Sequence, residues 1–254
     1  MASRDRQNER WSKLKQPTLI NLSCPLCEYD GSINNYKKYT ANDIFGAGII
    51  IRHQCPCCDL LFGDLRFLYL SEEQIQKDHD DTYSYFTEGD NLISKLNCLK
   101  SIDIFKDKTK SILDYACGTG QLIPVLKKDG YNITGYDKYV KHENVFNNID
   151  NMKFDVIFST NFIEHLINPL EDIKKILVHL NNDGYLIFIS DCIDEYLVEF
   201  THFHVFYYLG KSFQLLCDKL NLKIVGSNKI GDLVIKVLQK NALVVPCDTQ
   251  YDKC

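Results

Sequence analysis

The chain has no run of 18 apolar residues, so its sequence offers no membrane span. It has no excess of positive charge either: Lys and Arg number 29 against 34 Asp and Glu, a net charge of −5. A nonspecific nucleic-acid binder needs a basic face to displace counterions, so no nucleic-acid partner is expected. No secretory leader is legible at the start, where Arg4-Asp5-Arg6-Gln7-Asn8-Glu9-Arg10 is mixed in charge and reads as a solvated, mobile end. The 11 cysteines are therefore expected in a reducing, cytoplasmic compartment, bound to metal or unpaired rather than in a disulfide framework. What remains is of ordinary globular make-up, 45 % hydrophobic and 25 % charged. Over 254 residues that suits one large domain and one small one.

The most informative stretch is Ser111–Gly120, SILDYACGTG. An apolar run, Ile112-Leu113, ends at Asp114, and the glycine turn Cys117-Gly118-Thr119-Gly120 follows. Gln121–Lys128 then reads as the start of a helix. A strand that stops in a glycine turn and re-enters as a helix leaves backbone N–H groups free to meet an electron-rich ligand. The next predicted strand, Tyr131–Asp137, ends on an acid about 20 residues past the glycines, where a βαβ unit binds ribose hydroxyls. The third glycine of a dinucleotide fingerprint is absent, because Ile123 stands there. That argues against a pyrophosphate and leaves an adenosyl ligand without one.

With Asp114-Tyr115-Ala116-Cys117-Gly118-Thr119-Gly120 and Asp137, the chain resembles the class I S-adenosylmethionine-dependent methyltransferases. The resemblance continues through Phe154–Leu166, similar to that family's fourth strand and following turn, and Leu180–Ile189, similar to the entry into its fifth strand. It implies an α/β, Rossmann-like fold with a mostly parallel seven-stranded sheet whose last strand is antiparallel. It also implies a cofactor site at Asp114, Ala116, Cys117, Gly118, Gly120, Asp137, Thr160 and Asn161, with Tyr83 in a segment lying over the methyl donor. Two departures stand out. Ala116 replaces the usual glycine and should need only a slight backbone adjustment, and Lys141–Lys153 is short for a third helix plus a third strand.

Cys24-Pro25-Leu26-Cys27 and Cys55-Pro56-Cys57-Cys58 form two C-x-x-C knuckles, a spacing that can close a tetrahedral zinc site. Spacing alone leaves Cys57 and Cys58 as alternatives. Cys58 followed by Asp59-Leu60-Leu61-Phe62 resembles the second knuckle of the zinc-binding domain preceding some sugar-modifying methyltransferases. That resemblance implies Cys24, Cys27, Cys55 and Cys58 as ligands, with Cys57 a spectator thiol. Four thiolates leave no open position, so the zinc is expected to be structural. The expected organisation is a mobile N-terminus over 1–19, a zinc-binding module over 20–68, a helical connector over 69–108, the Rossmann-like domain over 109–240 and a tail over 241–254.

Ser71-Glu72-Glu73-Gln74 reads as a capping box, and Leu92, Leu96, Leu99, Ile102 and Phe105 recur at helical spacing. Asn168-Pro169 predicts a helix start with Asn168 as cap. Leu222–Val225 and Asp232–Gln239 predict closing strands joined near Gly231.

Methyl transfer to a hydroxyl needs a base, and a histidine of near-neutral pKa is the usual one. His165 follows the fourth strand at the sheet edge where ligands bind. His202 and His204 lie in a loop on that same side, sharing one face if the segment is extended. Each is a candidate catalytic base; the structural alternative is that His165 orients a turn and one of the pair packs among aromatics. The expected activity is methylation of a hydroxyl on a small molecule, a sugar or nucleotide sugar by the resemblance of the cysteine module. A chain that stops soon after the last strand favours O- over C-methylation. The alternatives are a UbiG-like O-methyltransferase acting on an aromatic hydroxyl, a sugar C-methyltransferase, a macromolecular methyltransferase, or a docking module that only binds cofactor. Ser159-Thr160-Asn161-Phe162 lacks the Asn-Pro-Pro-Tyr signature of enzymes that methylate bases or glutamine.

Overall fold

Seven strands make the main sheet, and a second, smaller sheet of four is built from both halves of the chain. The structure is a computed structural model that describes residues 11, 14–83, 92–195 and 201–241. Most of the expected N-terminal end and tail lies outside these residues.

The cysteine-rich segment begins with a short hairpin, β1 (Asn21–Ser23) against β2 (Asp30–Ser32). β3 (Lys37–Asn42), β4 (Ile49–Gln54) and β5 (Leu61–Gly63) follow as an antiparallel meander. Buried Asp64 closes its end, accepting from the Ile51 N–H at 2.9 Å and from the Arg66 guanidinium at 3.0 Å. Then come helix α1 (Glu72–Tyr83) and helix α2 (Leu92–Lys100). The capping box is formed: the Ser71 N–H donates to Gln74 Oε1 at 2.8 Å, and the Gln74 N–H to Ser71 Oγ at 3.3 Å.

The large domain runs β6 (Ser111–Tyr115), α3 (Leu122–Lys128), β7 (Asn132–Tyr136), β8 (Val145–Phe146), β9 (Phe154–Thr160), α4 (Pro169–Leu177), β10 (Leu180–Ser190), β11 (Phe206–Tyr207), α5 (Ser212–Lys219), β12 (Leu222–Ile230) and β13 (Leu233–Lys240). The sheet order is β12-β13-β10-β9-β6-β7-β8. β8, β7, β6, β9 and β10 are mutually parallel, while β13 is antiparallel to both β10 and β12. This is the expected seven-stranded arrangement. Gly231 makes the last turn at a φ of 58°, a left-handed conformation that glycine adopts without strain.

Alternation along the strands divides the core in two. Ile112, Val156, Phe158, Ile187, Ile189, Ile235 and Val237 face one side, packed with Leu99, Phe105, Ile123 and Leu126. Leu113, Ile157, Leu186, Phe188, Val234 and Leu238 face the other, where Ile173, Ile176, Phe213 and Leu216 pack. The second cluster does not stop at the large domain. It runs on through Phe62, Leu60, Cys24, Cys55, Cys58 and Trp11. β11 pairs with β5, Phe206 opposite Phe62, and so completes the small sheet from the far half of the chain. The cysteine-rich segment thus shares its core and one strand with the large domain.

Two local expectations change, at Trp11 and Asn168, and the short segment 141–153 proves to lack its helix. Trp11, inside the stretch expected to be mobile, is 1 % exposed and meets Phe67 edge-on at 5.0 Å between ring centroids. Between Lys141 and Lys153 there is no helix, only the two residues of β8 on the sheet's outer edge. Asn168 precedes α4, but its side chain makes no capping bond, and Pro169 at the first turn carries the start signal alone.

Candidate active site

β6, β9 and β10 all end at the same edge, so the loops that follow them meet there; in a doubly wound sheet this edge is the ligand side. The turn after β6 carries three left-handed residues, Ala116 (φ 59°), Gly118 (φ 56°) and Gly120 (φ 70°). The expected slight adjustment at Ala116 is not what occurs: the alanine takes up the left-handed conformation itself. The Cys117 N–H donates to the Tyr136 carbonyl at 3.0 Å, which ties the turn to the end of β7. The missing third glycine has a counterpart on the facing strand. A Cβ on Gly135 would meet Cys117 Sγ and Ile123 Cγ1 at 3.0 Å, so α3 approaches β7 through a glycine on the strand.

Asp137 is 6 % exposed. One carboxylate oxygen accepts from the Gly118 N–H at 3.0 Å, the other from the N–H groups of Tyr139 at 2.8 Å and Val140 at 2.9 Å. Three of roughly four acceptor positions are thereby filled. Asp114 is buried in β6, opposite Gly135 on β7 and Phe158 on β9. Thr160 ends β9, and Asn161 follows at a φ of 50°, its N–H bonded to the Ile189 carbonyl at 2.9 Å. Asn161 Oδ1 is buried with no partner, the kind of orphaned acceptor a bound ligand's donor would satisfy. Tyr83 ends α1, and its side chain lies outside the described residues. Beside this edge an open groove is lined by Glu72, Gln76 and Asp80 of α1 and by Lys138 and Tyr139, which follow Asp137.

The three candidate histidines part company. His202 and His204 do not share an extended face, because residues 202–203 form a turn. His202 is 1 % exposed and donates from both ring nitrogens, to Asp43 at 3.1 Å and to Asp78 at 2.9 Å. Burial opposes its charge, but the two carboxylates outweigh burial and raise its pKa. It packs among Phe67, Phe203 and Trp11, with ring centroids 4.7, 4.0 and 5.4 Å away. Neither ring nitrogen is left for a substrate proton.

His165 is exposed in the short 3-10 turn after β9, and its ring stands 4.9 Å from that of buried His204, edge to face. His204 Nδ1 is 3.4 Å from Cys192 Sγ, and burial, then the neighbouring His165, hold its pKa well below the ordinary value. Glu164 is fully buried. Ser190 donates to its Oε2 at 2.9 Å, while Oε1 has no partner. Burial foremost, with Asp191 adding repulsion, pushes its pKa up to about 8. Burial and then Glu164 push the Cys192 thiol up as well.

The four cysteines Cys24, Cys27, Cys55 and Cys58 converge, their Sγ atoms all within 4.8 Å of one another. Cys24 and Cys58 approach to 3.6 Å, Cys27 and Cys55 to 3.5 Å. An ion bonded to four sulfurs at about 2.3 Å sets them roughly 3.8 Å apart, so the set has the dimensions of a tetrahedral thiolate site. The two knuckles match: each is followed by an acid in the left-handed region, Glu28 at φ 63° and Asp59 at φ 66°. The Cys57 N–H points at Cys55 Sγ, 3.4 Å away. Cys57 lies outside this set of four. Bonds among the four thiols draw Cys27 and Cys55 below the usual thiol range and push Cys24 and Cys58 above it.

A family model described as a methyltransferase domain matches residues 94–226, more than half of the chain. The chain belongs to this methyltransferase family. No curated protein matches it. Among solved structures the methyltransferase is similar to a 1,6-didemethyltoxoflavin-N1-methyltransferase of Burkholderia thailandensis, with a TM-score of 0.54 and 12 % identity, covering 75 % of this chain and 95 % of that one. It is also similar to the mitomycin 7-O-methyltransferase MmcR, with a TM-score of 0.47 and 13 % identity over 66 % of this chain and 57 % of that one. At these identities the likeness is one of fold.

Several residues of the methyltransferase that hold the site have no signal in the sequence. Arg52 of β4 is 2 % exposed, stacks on Tyr207 at 5.0 Å, and donates to the Thr201 carbonyl at 2.6 Å and the His204 carbonyl at 3.0 Å. Asp43, in the loop after β3, accepts from the His202 N–H at 2.8 Å. Both reach across some 150 positions of chain, and no local pattern marks them.

Proposed function

We propose that this methyltransferase uses S-adenosylmethionine and methylates a hydroxyl of a small molecule, a sugar or nucleotide sugar. One observation carries the donor: the left-handed turn after β6 is bonded directly to Asp137 at the end of β7, on the sheet edge that binds ligands. An adenosyl group would lie with its ribose at Asp137, in place of the Tyr139 and Val140 N–H bonds, and with the turn of Ala116, Cys117, Gly118 and Gly120 beside it. Asp114, Thr160 and Asn161 would line the methionyl end, and the orphaned Asn161 Oδ1 suits a cationic amino group. Tyr83 keeps its proposed place over the donor. The donor supplies a methyl group on a sulfonium, electrophilic without further activation.

The acceptor's oxygen must lie in line, close to the methyl group, with its proton removed. The proton leaves at the edge that carries the Glu164–His165–His204 cluster, on the side where His165 faces solvent. His202 serves structure instead, as the link between Asp43 and Asp78. A structural zinc ion at Cys24, Cys27, Cys55 and Cys58 fits the sulfur geometry and would stabilise the segment that carries Arg52 and Asp43. The sugar acceptor is supported by the resemblance of the cysteine module. The B. thailandensis neighbour, whose structure holds S-adenosylhomocysteine, methylates a nitrogen, which makes N-methylation the alternative to test.

Calorimetry with S-adenosylhomocysteine should show binding of one molecule per chain, weakened at least tenfold in Asp137→Ala. Absence of binding to the wild-type protein would refute the reading. Adding nucleotide sugars to the complex in a thermal-shift series should raise Tm further; a rise only with amine or aromatic acceptors would replace the acceptor class.

A further inference from the structure

We propose that Glu164, His165 and His204 form a second metal site, distinct from the four-cysteine cluster, which takes a divalent transition-metal ion beside the methyl-transfer position. The inference rests on the reading of this edge as the acceptor pocket and deepens it.

One carboxylate oxygen and one ring nitrogen from each imidazole lie within 4.8 Å of one another. A cation bonded at about 2.0–2.2 Å needs its donors roughly 3.0–3.5 Å apart. The set as it stands is within about 1.5 Å of that spacing; Glu164 and His204 are buried, and His165 is the exposed member. Two imidazoles and one carboxylate on one side of an ion leave coordination positions open. They suit Zn2+, Fe2+ or Mn2+ better than the soft-ligand preference of a thiolate cluster does.

A second observation, independent of the clustering, points to an ion. Glu164 is 0 % exposed, Ser190 satisfies only Oε2, and Oε1 has no partner. An unpartnered carboxylate oxygen in the interior costs several kcal/mol unless a cation or a proton meets it. His204 also belongs to a neighbouring trio with Asp191 and Cys192, so further donors surround the same spot. The supporting bonds follow the pattern of a held ligand set. Ser190 orients Glu164, and the Arg52 guanidinium grips the His204 backbone.

Glu164 and His165 lie in the turn after β9, at the sheet edge where β6 and its glycine turn also end, and open positions on an ion there fix the chemical class of acceptor. A molecule with two adjacent oxygens, such as the vicinal hydroxyls of a sugar, could occupy both positions. A cation there lowers the pKa of the hydroxyl it touches. The O–H proton goes to solvent, the oxygen–methyl bond forms, the sulfur–methyl bond breaks, and a neutral thioether leaves. In that arrangement His165 and His204 hold the ion rather than carrying the proton.

The test uses the full-length protein with its cysteine cluster filled by zinc, titrated with Co2+ and followed by visible absorption. Wild type should bind one further Co2+ per chain with no sulfur-to-cobalt charge-transfer band. Glu164→Gln and His165→Ala should lose that equivalent and keep both the zinc and the affinity for S-adenosylhomocysteine. His165 is exposed, so its variant guards against a fold defect in Glu164→Gln. No further Co2+ in wild type, or equal uptake by both variants, overturns the proposal. Uptake with a sulfur band places the ion on a thiolate, Cys192 or the four-cysteine cluster, and overturns it too. Failure of wild type to bind S-adenosylhomocysteine would instead overturn the methyltransferase site reading, whatever the Co2+ result.

Discussion

Ala116 holds φ at 59°, in the left-handed region, inside the turn that leaves β6. An L-residue with a Cβ is strained there by about 1–2 kcal/mol, and glycine is not. Ala116→Gly should therefore raise stability by about 1 kcal/mol, less the entropy that a glycine adds to the unfolded chain. Denaturant midpoints of the two proteins check it; an unchanged or lowered midpoint would mean the turn relaxes around alanine. At this scale the sequence told much about the backbone of the turn after β6 and little about the surroundings of the histidines. Glycines and an acid at fixed spacing describe a local backbone, so Gly118, Gly120 and Asp137 were legible. The fates of His202 and His204 were not, because partners far along the chain decide them: Asp43 and Asp78 for one, Cys192 and Arg52 for the other.

Among the elements, β6, β9 and β10 are stitched together by Asp155, one oxygen of which accepts from the Ser111 N–H and hydroxyl at 2.8 Å, the other from Asn181 at 2.8 Å. The Ser111 backbone bond first, then the side-chain bonds of Asn181 and Ser111, hold its pKa below the usual carboxylate value. A depressed carboxylate adds stability that is complete above its unfolded pKa and disappears as pH falls through its folded one. Asp155→Asn should thus be less stable than wild type near neutrality, and the gap should close on acidification towards and below the ordinary carboxylate range. Urea midpoints across that range measure it, and a gap independent of pH would exclude the linkage. The strands themselves were legible, since Phe154–Thr160 is built around the apolar run Val156-Ile157-Phe158, as a strand buried on both faces should be. The shortness of Lys141–Lys153 was legible as well; what hid was the strand it retains, Val145–Phe146, too short a run for periodicity to register.

Across the whole molecule, the cysteine-rich segment acts as a brace for the loop that carries His202 and His204. Arg52 and Asp43 reach that loop from the small sheet, and β11 joins the sheet directly. Arg52→Met should leave the Thr201 and His204 carbonyls unpaired, at about 1–3 kcal/mol each. It should lower kcat while S-adenosylhomocysteine affinity stays within a few-fold. Stripping metal from the four thiols should speed amide exchange in residues 201–208 before it does so in β6 and β9. Exchange that rises everywhere together would mean the segment is part of one cooperative unit. The two C-x-x-C knuckles were legible as a cluster of four thiols, but their dependence on β11 was not, because strand pairing across distant segments leaves no trace in either sequence run.

That dependence sets an order on synthesis. The cysteine knuckles leave the ribosome first, yet the strand that caps β5 emerges only after most of the catalytic domain has been made. Until then β5 presents an open edge able to pair with a neighbouring nascent chain. Truncation before Phe206 should therefore yield aggregates, not a free-standing metal-binding fragment.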